Sequence, residues 1–231
     1  MPGFMIHLAE AEMIMDYMDT KPTSEWAGQF LLGNLLPDTK LGEQKSDSHF
    51  WNPEYAGQLA RAPELSRFLN KYGHRLEEPA VLGYYAHLYL DRAYVKTYWP
   101  KIFVFEDQEG CPKVRKDQIV QVELKGRGKV IPYDQFFSGA YYYGDYTRSN
   151  SWFINRYHIR KPEYMELKNL NMSEVCCEDL HKVLDEIEYL CRLKGTNEEN
   201  NMEVFDPADL ENFVLKTAES FYTHISHLLN L

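Results

Sequence analysis

Two residues able to do chemistry stand four apart in an unusual setting. His87 and Asp91 lie within the run Gly83-Tyr84-Tyr85-Ala86-His87-Leu88-Tyr89-Leu90-Asp91, flanked by Val81, Leu82, Ala93, Tyr94 and Val95. A helix that is apolar on nearly every side is buried. An unpaired carboxylate inside it costs several kcal/mol unless it is neutralised or coordinates something. The i, i+4 spacing puts the imidazole and the carboxylate on one face. A divalent metal ion is the partner that such a pair would share.

Three further residues can join them. His7 falls on the apolar face set by Phe4, Ala11, Ile14 and Met18. Asp38 follows Pro37 at the end of the apolar run Leu31 to Leu36, with Asn34 one turn before it. His49 stands beside Phe50 and Trp51. Three imidazoles and two carboxylates suit a hard-to-borderline ion, most simply zinc. Each residue also has a plainer reading: His7 as a core histidine, Asp38 as the start of an Asx-turn, His49 as a loop residue, and His87 with Asp91 as a metal-free buried pair. The set, more than any member, points to a metal. His-Glu-x-x-His, the two Glu-x-x-His motifs that a di-iron bundle needs and the His-Asp dipeptide of phosphohydrolases are all absent from the sequence.

The elements that must position these residues are mostly helical. Apolar spacing predicts helices over about Phe4–Met18, from an N-cap at Ser24 to Pro37, over Pro53–Tyr72 ending at Gly73, and over Glu78–Trp99. A loop from Thr39 to Asn52 carries His49. Further helices are predicted at about Tyr133–Tyr157, Ser173–Leu193 and Pro207–Leu229, with a polar loop at Gly195–Asn201. Ile119, Val120, Val122, Leu124, Val130 and Ile131 around Gly126-Arg127-Gly128 predict a small β-hairpin insertion near 111–132. The expected fold is all-α, one multi-helix domain over 1–231.

Composition narrows the function. A net charge of -10 disfavours duplex nucleic acid as a partner. No stretch is apolar enough to predict a transmembrane segment. The N-terminal run lacks a basic start and a cleavage site, and Glu10, Glu12 and Asp16 interrupt it, so no leader is predicted. Four cysteines without a Cys-x-x-Cys pair predict free thiols and a cytoplasmic location. His158 beside Arg160 and Lys161, the pair His181 and Asp185, and His224 with His227 read as surface positions that could also serve a further site. His74 reads as a helix C-terminal residue.

The order His7, Leu35-Leu36-Pro37-Asp38, Ser48-His49-Phe50 and Gly83 to Asp91 resembles the zinc-dependent phospholipase C and single-strand nuclease superfamily. Pro2-Gly3-Phe4 and Asp145-Tyr146-Thr147-Arg148-Ser149-Asn150 look like its short, uncharacterised bacterial branch. The likeness spans about the first hundred residues well and the remainder loosely. It implies a helical fold that hydrolyses phosphodiesters with clustered zinc ions. Asp38, His49, His87 and Asp91 match ligands of one ion, and His7 a ligand of a second, with Asp91 bridging both. Such a pair would polarise a phosphoryl group and bring the pKa of a bound water toward ~7, with Asp38 orienting or deprotonating it. The histidine beyond the helix aspartate and the following His-x-x-x-Glu have no counterpart here, so one or two ions are implied. The expected substrate is a small phosphate ester or phospholipid-like molecule. A non-catalytic helical protein using the same ligands for stability is the alternative.

Overall fold

The apolar spacing read from the sequence produces most of the expected helices, with several boundaries moved. The computed structural model describes residues 2–21, 23–167, 170–193 and 202–229; the loop predicted at Gly195–Asn201 lies outside them. Helix α1 (Phe4–Tyr17) packs against α2 (Glu25–Leu35), α5 (Pro79–Ala93), α8 (Tyr142–Tyr157) and α10 (Pro207–Leu229). Ser24 caps α2, its Oγ accepting the Ala27 N–H at 3.1 Å. The buried apolar side chains form one contiguous cluster running from α1 to α10.

The tightest contact in the fold is α2 against α5. A Cβ on Gly83 would fall on the Phe30 carbonyl oxygen, and one on Gly33 on the Ala80 carbonyl oxygen. Two glycines thus let the helix backbones touch, close enough for a side chain of α5 to bond the main chain of α2.

Several boundaries differ from the sequence expectation. Between α2 and α5 the predicted loop contains 3-10 turns at Leu36–Thr39 and Gly42–Gln44 and a one-turn helix α3 (Lys45–Ser48), with His49 as its C-cap. The predicted helix over Pro53–Tyr72 is helical only as α4 (Leu65–Tyr72), after a 3-10 turn at Pro53–Tyr55. Bridges Trp51–Pro63 and Gln58–Arg115 hold the irregular chain between, where Gly57 and Pro63 oppose helix. Helix α5 continues through a π-helical turn (Tyr94–Tyr98) into α6 (Trp99–Ile102). Pro100 lacks an N–H and its ring crowds the carbonyl of the previous turn, which explains the widening.

The predicted hairpin is part of a three-stranded antiparallel meander, β1 (Phe103–Glu106), β2 (Gln121–Leu124) and β3 (Lys129–Pro132). Gly126 and Gly128, at φ 75 and 60, make the β2–β3 turn. The helix predicted over Tyr133–Tyr157 is split into α7 (Tyr133–Phe136) and α8 around Gly139, and α9 (Leu180–Arg192) starts later than Ser173. Glu174 is instead tied back to α4 by the Tyr72 hydroxyl (2.7 Å). Asp145, wholly buried, accepts the Val204 and Phe205 N–H groups and so fixes the entry to α10. Among the described residues no helix is long and apolar enough to cross a membrane, and the four cysteines form no disulfide.

The helix contact makes a direct prediction. Gly83→Ala should lower the unfolding free energy by about 3 kcal/mol through overpacking against α2. Gly139→Ala, with open space around it, should change it by less than about 0.5 kcal/mol. Urea unfolding of the two variants checks this, and equal midpoints would contradict it.

Candidate metal centre

The five residues singled out in the sequence come from four different elements and meet at one place. Helix α1 supplies His7, the 3-10 turn after α2 supplies Asp38, the end of α3 supplies His49, and α5 supplies His87 and Asp91. The ligand atoms of His7, His87 and Asp91 form one close group, and those of Asp38, His49 and His87 another. Asp91 turns its two oxygens to different sides. Oδ1 lies 3.4 Å from His7 Nε2, while Oδ2 lies 3.4 Å from His49 Nε2 and 3.6 Å from His87 Nε2. His49 Nε2 is also 3.5 Å from Asp38 Oδ1 and 3.4 Å from His87 Nε2.

These separations are long for hydrogen bonds and match another geometry. Donors about 2.1 Å from a zinc ion at tetrahedral corners stand about 3.4 Å apart. No hydrogen-bond partner satisfies either nitrogen of His7 or either oxygen of Asp91, although both side chains are buried. Orphaned buried donors at this spacing fit a cation between them. The centre therefore could hold a divalent ion.

The tautomers, assigned from their partners, sharpen the point. His87 Nδ1 donates to the Asn34 carbonyl at 2.8 Å, the bond that the close α2–α5 approach allows. His49 Nδ1 faces the Lys45 carbonyl at 3.1 Å and Ser48 Oγ at 3.0 Å. The Ser48 hydroxyl spends its single hydrogen on the Pro37 carbonyl (2.8 Å). His49 Nδ1 must then carry the proton and donate to Lys45. Both Nε2 atoms consequently present lone pairs, to each other and to an anionic oxygen. Backbone carbonyls holding the far nitrogen of an imidazole are the usual support behind metal-binding histidines.

The protonation states agree. Burial opposes the charge on Asp91, but the imidazoles of His87 and His7 hold its carboxyl well below the usual carboxylate range. Burial likewise opposes the charge on Asp38, and Lys45 and His49 more than offset it. Burial, then the neighbouring His87, pushes His7 down to about 4, and burial also lowers His49. Anionic carboxylates and neutral imidazoles are the forms a metal requires.

Four of the five side chains are at most 1 % exposed, and Asp38, at 9 %, is where the cluster approaches solvent. Lys45 stands over it, its Nζ 2.7 Å from Asp38 Oδ1. Lys45 thus touches the centre twice, by side chain to Asp38 and by carbonyl to His49. The sequence singled out neither Lys45 nor Glu10. Glu10 sits one turn after His7, fully buried, with both oxygens unpartnered; burial, then Asp91, drives its carboxyl well above the usual range. Spacing from His49 and His7 was the available signal for both. The Asn34 side chain is also buried without a partner.

The remaining histidines stay apart from the centre. His158 is exposed at the left-handed C-cap of α8 (φ 53). His181 is exposed and stacks on Tyr164, with Asp185 exposed beside it. His224 pairs with the Tyr85 hydroxyl at 2.8 Å, His227 is exposed, and His74 lies in a 3-10 turn after α4. Asp107, Glu109 and Cys111 form a turn in which Asp107 accepts the N–H groups of the other two.

No family model, curated protein or solved structure matches this chain. What its centre does is read from its own geometry.

The buried imidazole gives a pH prediction for the metal-free protein. Unfolded His7 takes up a proton near 6.5, folded His7 only near about 4. Between these values the unfolded state binds more protons, so stability falls as pH drops through the window. Urea midpoints in chelator at pH 7.5, 5.5 and 4.5 should decline in that order, and less so in His7→Gln. A midpoint that holds or rises on acidification contradicts the buried neutral imidazole.

Proposed function

We propose that the chain is a metal-dependent hydrolase of phosphate esters, with zinc as its ion, a phospholipase C-like site and a small phosphate-ester or phospholipid-like substrate. The observation that carries this is Asp91, whose two oxygens face different imidazoles across distances suited to shared metal ligation. The order of the five residues along the chain, which resembles the phospholipase C and nuclease superfamily, supports the same reading. Four cysteines that form no disulfide favour a reducing, cytoplasmic setting.

A divalent ion bound there supplies Lewis acidity toward phosphoryl oxygens and acidifies a water. His49 and His87, with their Nδ1 protons committed to backbone carbonyls, keep Nε2 free to bind it. His7 and Asp91 Oδ1 offer donors on the far side. Asp38 is the group nearest solvent, and Lys45 holds it anionic. Its carboxylate is placed to orient an attacking water and take its proton. Lys45 keeps that carboxylate fixed and adds positive charge where a phosphate would arrive.

The alternative, a metal serving folding alone, has one observation in its favour. Asp38, His49, His87 and Asp91 amount to the four donors of a closed structural shell. The His7–Asp91 edge has only two, and a site short of protein donors favours catalysis.

Zinc-reconstituted protein should hydrolyse bis(p-nitrophenyl) phosphate. Asp38→Asn should lower kcat at least about 100-fold, the scale of general-base catalysis, with metal content followed in parallel. Unchanged turnover would remove Asp38 from the reaction. Lys45→Met should move the acid limb of the pH–rate profile upward, because Asp38 loses the ammonium that holds it down. An unmoved limb would contradict the positioning role of Lys45.

A further inference from the structure

A second site stands on the next residue of the same helix. Arg92 follows Asp91 and lines a groove of about 390 Å³ between the rod formed by α5, the π turn and α6 and the length of α10. Lys96, Lys101 and Lys216 line it too, against the single carboxylate of Asp209. In a chain of net charge -10 this is a local inversion of sign. Among the described residues none of the four cations has a carboxylate partner. Arg92 reaches only the Pro63 carbonyl, at 3.0 Å. Arg92 and Lys96 are one helical turn apart, where like charges repel. A bound anion would relieve that repulsion.

Two features of the groove stand out. Tyr98 lines the groove, is 1 % exposed, and its hydroxyl has no hydrogen-bond partner. The groove also includes Lys96, Thr97 and Tyr98 of the π-helical turn, a distortion that concentrates at functional sites. The ring of Tyr98 stacks on Phe213 at 4.8 Å and 26°, giving an apolar wall beside the cations. An adjoining groove shares Leu65, Arg92 and Lys96 and adds Arg61 and His224, which lengthens the binding surface.

We propose that this groove binds a nucleoside phosphate. Arg92, Lys96, Lys101 and Lys216 take the phosphate oxygens through charge-assisted bonds, and the base lies along the aromatic wall. The volume is within the range of small-molecule sites, about 300 to 1,000 Å³. The site is separate from the metal centre and does not rest on the hydrolase reading.

Calorimetric titration of the full chain with ADP, pyrophosphate and adenosine tests this. ADP should bind saturably and more tightly than either fragment, and rising salt should weaken it. The double variant Lys96→Glu/Lys216→Glu should weaken ADP at least about 10-fold, the scale of losing 1.4 kcal/mol. Its metal content and bis(p-nitrophenyl) phosphate turnover should match the native protein, which keeps this site and the metal centre distinguishable. Both lysines are exposed, and far-UV circular dichroism checks the fold; Lys101→Glu serves if the double variant does not fold. No saturable ADP binding, or ADP binding unchanged by charge reversal, overturns the proposal. Pyrophosphate binding as tightly as ADP overturns the role of the aromatic wall.

Discussion

The carboxylate of Asp91, shared among three imidazoles in the dry interior, is the constraint on which the rest depends. It has no exposed surface and no hydrogen-bond donor of its own. Its neighbours face it with nitrogens 3.4 to 3.6 Å away. Two of these nitrogens carry lone pairs fixed by backbone carbonyls behind them. Buried charges arranged this way gain little from each other alone, because desolvation offsets their attraction. With a cation among them, the same groups become an affinity, and the strain of their convergence becomes binding energy for the ion.

The fold around Asp91 serves that convergence. Gly33 and Gly83 bring α2 against α5, so that Asn34 can accept from His87. Ser48 reaches back to Pro37, and the Tyr84 hydroxyl donates to the Ser48 carbonyl at 2.6 Å, pinning the one-turn helix that ends in His49. Asp38 and His49 are thereby held together by bonds that do not involve their own ligand atoms. Removing a supporting bond should loosen the centre, whereas removing a ligand should empty it while relieving electrostatic crowding.

Much of the centre was legible in the sequence, for identifiable reasons. His87 and Asp91 were legible because helix geometry alone sets their relation. His7, Asp38 and His49 needed the fold to meet them, and read as ordinary residues one at a time. Glu10 and Lys45 were missed because a lone acid or lysine in sequence reads as surface; only tertiary packing reveals one as buried and the other as the cover of Asp38. The helical class followed from apolar periodicity. The lost helical turns before α4 came from Gly57 and Pro63, which oppose helix in a marginal apolar pattern. Strand β1 gave too short an alternation to separate from the helix before it. The basic groove was invisible because Lys216 and the wall residue Phe213 come from a helix more than a hundred residues after Arg92, Lys96 and Lys101, in a chain whose overall charge has the opposite sign.

The central claim is that these side chains converge in order to hold a metal. It is tested most directly by the metal content of the reconstituted and exhaustively dialysed protein, measured by inductively coupled plasma mass spectrometry for the native chain and for Asp91→Asn. The native chain should retain at least one zinc or similar divalent ion per molecule, and the variant should lose it while remaining folded. A native protein that retains no divalent ion after reconstitution would show that the five residues form a polar network complete in itself.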